Sequence, residues 1–495
     1  MKIDIIGGSY ENTYNVQVNP QKTINWFISE GTQKENNKEQ KILLQRPGLK
    51  SFSTITGSKV RGIAWVNDLT YSKCFAVIDD SLYEISKDTT ATLIGTLTGG
   101  LNSTHKVEFV LNSNHQLLII DNANTADYLT DFGIVTNNGN LVGHVYNIST
   151  DTLTELTLAD HNFPNESGDT GRVHYSDSDN FLSWNNQNVF TPLSKADPTL
   201  AVRIYRGDMV CFGRESIEGF YNNGSDFVSR EGSAMPYGIV APQSAVVYTS
   251  GIVFLGGHSK GQAAVYNLNS DYKIDQLSPF TITNRINQAS TLSNATGFIQ
   301  YSKTGHAFYY LTIPDLDTTL IYDLISGEWV DFQSLKSFPN ADGSWDSSIY
   351  RGWTYTNFDG INLFGDYYSG NIFLEDNNTY TDNGKNIIRE RISQILQAEY
   401  KPLGVNTLEL DITKGKGIIT GQGSEPRLMV SDSQNGGVTF DNERYVDIGA
   451  IGNYKERIKL FGFGTTENWA YKFRITDPVN CNILSAIIQG SVGIY

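Results

Sequence analysis

HAFYYLTIPDLDTTLIYDLISGEWVDF, residues 306–332, is the stretch whose reading decides the fold. An apolar run gives way to a Pro-Asp loop, a second apolar run ends in Tyr322-Asp323, and Ser-Gly-Glu-Trp closes the phrase. Side chains in both runs are β-branched or aromatic, the types that fit a pleated, half-buried surface. The phrase reads as strand, loop, strand, then a turn that delivers a Trp.

Similar phrases recur at residues 74–86, 116–130, 209–221, 251–271 and 361–376, with weaker copies at 145–156 and 265–275. Their separations run at roughly 40 to 60 residues, the length of one four-stranded unit in a radial β-repeat. The phrase at 306–332 resembles the recurring blade of kelch-type propellers, in which such a Trp packs between blades. An all-β fold with a β-propeller of about five to seven blades is therefore expected. The alternative is a set of sandwiches built from ordinary hairpins.

Composition points the same way. Of 495 residues, 39% are hydrophobic and 12% aromatic, with 27 Tyr, 24 Phe and 46 Gly against only four Met. Dense Asn, Asp, Ser and Gly clusters punctuate many short strands. No run approaches ~18 apolar residues, so a membrane span is not expected. The opening MKIDIIGGSYENTYN lacks a signal-peptide apolar region, which predicts a chain that stays where it is made. Cys74, Cys211 and Cys481 are too scattered for a disulfide framework or a metal clip.

Texture changes near residues 380–386. NIIRERISQILQAEY (386–400) reads equally as a short amphipathic helix or an irregular strand. Six alternating runs then follow, at 406–412, 427–432, 443–449, 457–464, 470–477 and 483–490, as expected of a β-sandwich. The division is thus 1–50 as an N-terminal arm, part of a platform with the sandwich; 51–384 as propeller; and 385–495 as sandwich.

Charge is unevenly shared. The chain carries −16 overall, but residues from Lys385 onward hold 13 Lys/Arg against 12 Asp/Glu. The first 384 residues carry the remaining 24 against 41. Such a body lacks the cations that grip phosphate, although a like-charged wall can surround DNA without holding it. The near-neutral C-terminal unit is the better candidate for contacts between copies, because two strongly acidic surfaces repel. Trp26, Phe27, Trp469 and Tyr471 are candidate interface anchors. For Trp469 and Tyr471, a place in the sandwich core is the equal alternative.

Catalytic patterns are weak. The seven histidines are dispersed, with no HExxH, and the Asp-rich loops 175–180 and 376–384 do not follow EF-hand ligand order. SGIVFLGGHSKGQ (250–262) lacks the order of a phosphate loop. SDSDNFLSW (176–184) approaches an Asp-box but lacks its Gly. In DMVCFG (208–213), Cys211 has no adjacent His; alternation puts Met209, Cys211 and Gly213 on one face and Val210 and Phe212 on the other. An inert strand thiol is expected. No enzyme activity, cofactor or metal is expected.

VCFGRESIEGFY (210–221) resembles the central hairpin of the tail hub, or nozzle, proteins of short-tailed bacteriophages, also described as packaged-DNA stabilisation proteins or tail accessory factors. Asn25-Trp26-Phe27, Glu30 and Arg46-Pro47-Gly48-Leu49 resemble that family's opening phrase. VRGIAWVND (60–68) with KCFAVIDDSLYEI (73–85) resembles its first repeat, and VHYSDSDNFLSWNN (173–186) a later strand around a terminal Trp. The order is preserved over most of the chain.

The resemblance implies a structural virion protein of the tail, assembled in the host cytoplasm. It implies a homo-oligomer, a ring of six copies, beneath the adaptor that sits under the portal. Tail fibres or spikes attach outside, and genomic DNA passes through the lumen without sequence-specific binding. The ring retains packaged DNA and opens for ejection; no catalytic residues carry over. Residues 131–170 and 333–350 look like inserts, for fibre docking or the lumen. The rival readings are a glycan-binding or glycan-cleaving propeller, such as a phage depolymerase, and a cellular propeller scaffold.

Overall fold

Residues 306–332 fold into the centre of a four-stranded antiparallel sheet: Thr296–Tyr301, Ala307–Ile313, Thr318–Asp323 and Trp329–Leu335, in that order. Pro314 opens a single 3-10 turn, and Asp317 and Gly327 take positive φ where the chain reverses. Trp329 is 2% exposed, and its indole N–H donates to the carbonyl of Leu277, just past the last strand of the preceding sheet, at 3.0 Å.

The computed structural model describes residues 2–4, 6, 21–31, 40–98, 105–121, 125–129, 132–138, 141–157, 161, 169–192, 194–195, 197–224, 226–258, 261–336, 347–398 and 401–493. Among these, the sheet containing Trp329 is the sixth of seven. The first is Val60–Asn67, Ser72–Ile78, Ser81–Ile85 and Ala91–Thr96. The second and third interleave along the chain. Glu108–Leu111, Gln116–Ile120, Gly143–Asn147 and Thr152–Leu156 form one; Ala126–Leu129, Phe132–Asn138, Asp169–Tyr175 and Val189–Phe190 form the other. Residues 132–138, 143–147 and 152–156 are thus sheet strands, which corrects their reading as an insert.

The fourth sheet is Thr199–Tyr205, Asp208–Gly213, Ile217–Asn222 and Phe227–Ser229. In the fifth, Tyr237–Ile239 and Val246–Tyr248 both pair with Gly251–His258, followed by Ala264–Leu268 and Ile274–Gln276. The seventh takes Gly352–Phe358, Ile361–Asp366 and Ile372–Asp376, and its next strand is Gly48–Ser53 from the other end of the chain.

Burial shows how the sheets meet. Period-two alternation sends successive side chains to opposite faces, so each sheet feeds two different cores. Val210 and Phe212 join Phe254 and Ile252 of the fifth sheet, while Met209 and Cys211 join Ile134 and Val173 of the third. Trp329 and Leu320 meet Val253 and Val265 in the next gap. Val60 and Cys74 of the first sheet meet Leu363 and Ile372 of the seventh, which closes the ring. The body is a β-propeller.

A second unit continues from the sixth sheet. Trp329–Leu335 pairs in parallel with Lys22–Ile24, and Arg389–Ile392, Ala470–Ile475, Arg427–Ser433 and Arg444–Asp447 extend the same sheet. Residues 389–392 are therefore strand, with no helix at this point. Facing it lie Trp26–Gly31, Gln40–Gln45, Ile483–Val492, Leu403–Ile412 and Ile458–Thr466, with Lys2–Asp4 paired on Ile483–Val492. Trp26, Leu408, Phe473 and Ile483 belong to the core of this β-sandwich. The described N-terminal strands thus belong to both units: Lys2–Asp4, Trp26–Gly31 and Gln40–Gln45 to the sandwich, Gly48–Ser53 to the propeller, and Lys22–Ile24 to the strand path between them. No helix among the described residues is long and apolar enough to cross a membrane.

Candidate functional site

Three places collect polar or exposed groups out of pattern: the junction of the two units, the axis of the ring, and the outer face of the sandwich.

At the junction, Asn25 adopts φ 57, which turns the chain between Lys22–Ile24 and Trp26–Gly31. Its amide donates to the carbonyls of Ile388 at 2.7 Å and Gln333 at 3.0 Å. Its Oδ1 accepts from Arg46 Nε at 2.7 Å and from the Gln333 N–H at 2.9 Å. Arg46 then places Nη1 and Nη2 at 2.9 and 2.5 Å from the two oxygens of Asp382, with both side chains 2% exposed or less. Its guanidinium lies 4.8 Å from the centre of the Tyr350 ring. Burial opposes this charge, but the attraction of Asp382 outweighs it and holds the guanidinium above its ordinary value.

The neighbouring residues of the opening phrase divide between the two units. Trp26 enters the sandwich core and donates its indole N–H to the Cys481 carbonyl at 2.9 Å. Phe27 faces the propeller, 5.2 Å from Phe308 edge to face. Gly48 is required because a Cβ there would lie 2.4 Å from the Thr379 carbonyl oxygen. Leu49 packs with Phe373.

None of the four candidate anchors is on the surface. Trp26, Trp469 and Tyr471 are 0% exposed and Phe27 is 4% exposed. Trp469 donates its indole N–H to the Leu403 carbonyl at 2.8 Å and stacks on Tyr471. Their expected interface role is corrected to core packing: alternation shows that Trp469 and Tyr471 point one way, but not whether that way is inward. The sequence did not signal Asp382 or Gln333, because their role depends on pairing over some three hundred residues.

On the axis, a cavity of about 430 Å³ is lined by Ala64, Glu108, Ala126, Arg203, Val247, Phe298 and Tyr355, one from the innermost strand of each sheet. Arg203 grips Glu108 through Nη2–Oε1 at 2.8 Å and Nη1–Oε2 at 3.2 Å. Lys106, on the loop before Glu108, also lines the cavity.

On the sandwich, Ile418, Ile419, Val438, Tyr445, Ile451, Tyr454, Phe461 and Val492 are exposed, eight of the thirteen exposed large apolar side chains among the described residues. They bias the outward apolar surface towards the near-neutral unit.

None of the three cysteines resembles an activated nucleophile. Cys211 is buried, and burial, with Glu218 adding, pushes its thiol well above the usual value. Burial also raises Cys74 to about 12, and raises Cys481 to about 11 although Arg389 pulls against it. Among the described residues, no group of three or more His, Cys, Asp or Glu side chains is placed to hold a metal ion.

Comparison with known proteins gives two matches in tandem. A family model described as the β-propeller of bacteriophage P22 Gp10 matches residues 2–380, and one described as the β-sandwich of the same protein matches residues 388–491. No curated protein matches. Among solved structures, the extracellular domain of a hybrid two-component system from B. thetaiotaomicron is 9% identical, covers 74% of this chain and 44% of its own, and has a TM-score of 0.37. This chain thus spans less than half the length of that one. An exo-β-1,3-galactanase from Phanerochaete chrysosporium is 11% identical over 90% of this chain and 100% of its own, with a TM-score of 0.30. The N-terminal domain of Nup159 is 8% identical over 75% and 93%, with a TM-score of 0.32.

Proposed function

This chain belongs to the bacteriophage P22 Gp10 family, and from that premise we propose that it forms the ring that prolongs the DNA channel below the phage head. It is a structural protein of the phage tail, of the kind that stabilises packaged DNA. In the proposed ring, six copies meet through their sandwiches, the ring seats on the adaptor, fibres or spikes dock on its outside, and assembly takes place in the host cytoplasm.

The observation that carries the ring reading is the separation of charge from apolar surface. The propeller and arm hold 24 Lys/Arg against 41 Asp/Glu, whereas the near-neutral C-terminal unit holds most of the exposed large apolar side chains among the described residues. Contacts between copies through the sandwich bury apolar area without pressing two acidic surfaces together. The acidic bodies then surround DNA without binding it. The buried Arg46–Asp382 link suits this role, because it ties sandwich and propeller into one unit that transmits force from head to tail.

The mass of the purified protein tests this reading, alone and with the adaptor ring, by sedimentation or native mass spectrometry. A closed ring of defined copy number on the adaptor is expected. A chain that stays monomeric and ignores the adaptor refutes the ring.

A further inference from the structure

Lys106 is the anomaly of the propeller axis. Its side chain is buried, 8% exposed overall, in a cavity where the other polar groups are already engaged. Arg203 and Glu108 satisfy each other, with Arg203 Nε also donating to the Ala245 carbonyl at 2.8 Å and Glu108 Oε2 accepting the Ala126 N–H at 2.9 Å. Gln243 is occupied by the Lys106 backbone, accepting its N–H at 3.2 Å and donating to its carbonyl at 2.9 Å. These two bonds fix where the lysine starts.

The ammonium itself has one long hydrogen bond, 3.4 Å to the Gly297 carbonyl. It faces the rings of Phe298 at 5.1 Å and Trp353 at 5.6 Å. Among the described residues no carboxylate lies within 4.0 Å of it. A second cation, Lys59 Nζ, stands 4.3 Å from the same Trp353 ring. Lys59 lies outside the cavity lining, whose own charged groups are Lys106 and Arg203 against Glu108, so a protonated Lys106 leaves the wall with an excess positive charge inside an acidic body. An ion withdrawn from water in this way is costly unless a counter-charge meets it.

We propose that the axial cavity is an anion site, in which the Lys106 ammonium receives a small phosphate-class oxyanion. The cavity, at about 430 Å³, is many times the ~30 Å³ share of one water, so the ion enters with part of its hydration. Lysine suits this ligand as a compact charge with three rotatable donors, whereas the planar fork of Arg203 is already spent on Glu108. The surroundings also tune the amine. Burial pulls Lys106 down to about 7, Glu108 opposes, and Lys59 adds to the fall. Arg203 and the Tyr355 hydroxyl complete the facing polar groups. A bound anion favours the protonated amine, so binding takes up a proton and weakens as pH rises above neutrality.

The test is titration of the full chain with inorganic phosphate at constant ionic strength, followed by thermal unfolding and by phosphorus NMR linewidth. Lys106→Met keeps most of the aliphatic stem and removes the charge; Lys303→Met, at an exposed position, is the control. The expected result is saturable binding in the native and Lys303→Met proteins, at least tenfold weaker in Lys106→Met, with affinity falling between pH 6 and pH 9. A deoxynucleoside monophosphate run in parallel separates a free ion from a phosphate ester; binding of either through Lys106 supports the site. An equal response in Lys106→Met, or no saturable response, overturns it: the ion then binds the surface, or the cavity holds only water. Should Lys106→Met fail to fold, crystals of the native chain soaked in selenate decide. An anomalous peak within hydrogen-bond reach of Lys106 Nζ supports the site, and its absence refutes it.

Discussion

Removing one partner of the Arg46–Asp382 pair should damage the protein far more than removing both. Arg46 is 1% exposed and Asp382 2% exposed, and two hydrogen bonds at 2.9 and 2.5 Å join them. In Asp382→Ala the guanidinium keeps its bonds to Asn25 and Gln333 but loses its counter-charge in a site closed to water. In Arg46→Met a buried carboxylate keeps only the Ser334 hydroxyl, at 2.7 Å, among its side-chain donors. Each single change is expected to cost about 3–5 kcal/mol, the usual penalty for orphaning a buried ion. The double variant leaves no uncompensated charge, and its apolar replacements sit beside Phe332 and Tyr350. It should cost well below the sum, so the cycle yields a coupling of about 2 kcal/mol or more between contacting residues. Urea unfolding followed by Trp fluorescence measures all four proteins, with a second probe to check that both units unfold together. Additive losses, or single losses under about 1 kcal/mol, would refute the view that this pair holds the units together.

Trp469→Ala should destabilise the isolated chain by about 3–5 kcal/mol, because the residue is core; loss of assembly at unchanged stability would restore the interface role. Conversely, Tyr454→Asp with Phe461→Asp should leave the melting temperature nearly unchanged and reduce ring formation on the adaptor, read by native mass spectrometry. All three thiols should resist a thiol reagent in native protein and react after unfolding, since each is buried and its thiol raised. Lys106 gives a signed pH effect in the absence of phosphate. Its folded value is lowered from 10.5 to about 7, so over that window the unfolded chain binds the extra proton and stability rises with pH. Lys106→Met should flatten that part of the stability profile and raise stability at neutral pH.

Local chemistry made much of the fold legible. Residues 306–332 carry their own turns, and Trp329 takes the place between sheets that the phrase implies. The two faces assigned around Cys211 also hold, since Met209 and Cys211 meet the third sheet while Val210 and Phe212 meet the fifth. The candidate site was less legible. Asn25, Trp26, Phe27 and Arg46 stood out as a phrase, yet their tasks came from partners at Gln333, Cys481, Phe308 and Asp382. Lys106 gave no signal, because an isolated lysine near an acidic residue looks like any solvated charge.

By itself, then, the sequence determined most of the strands, many of their turns, and which side chains of a strand share a face, but it left 386–400 open and took strands within 131–170 for an insert. Period-two alternation and turn chemistry act within a few residues, so they survive without any knowledge of the fold. Tertiary structure alone decided which strand lies beside which. It interleaved the second and third sheets, sent Gly48–Ser53 to pair with Ile372–Asp376, and set Lys22–Ile24 between Trp329–Leu335 and Arg389–Ile392. Backbone donors and acceptors are the same in every strand, so pairing carries no local label. The choice falls to whichever arrangement buries the faces and satisfies the ions, and that arrangement turned Trp469 inward and left Lys106 beside an open cavity.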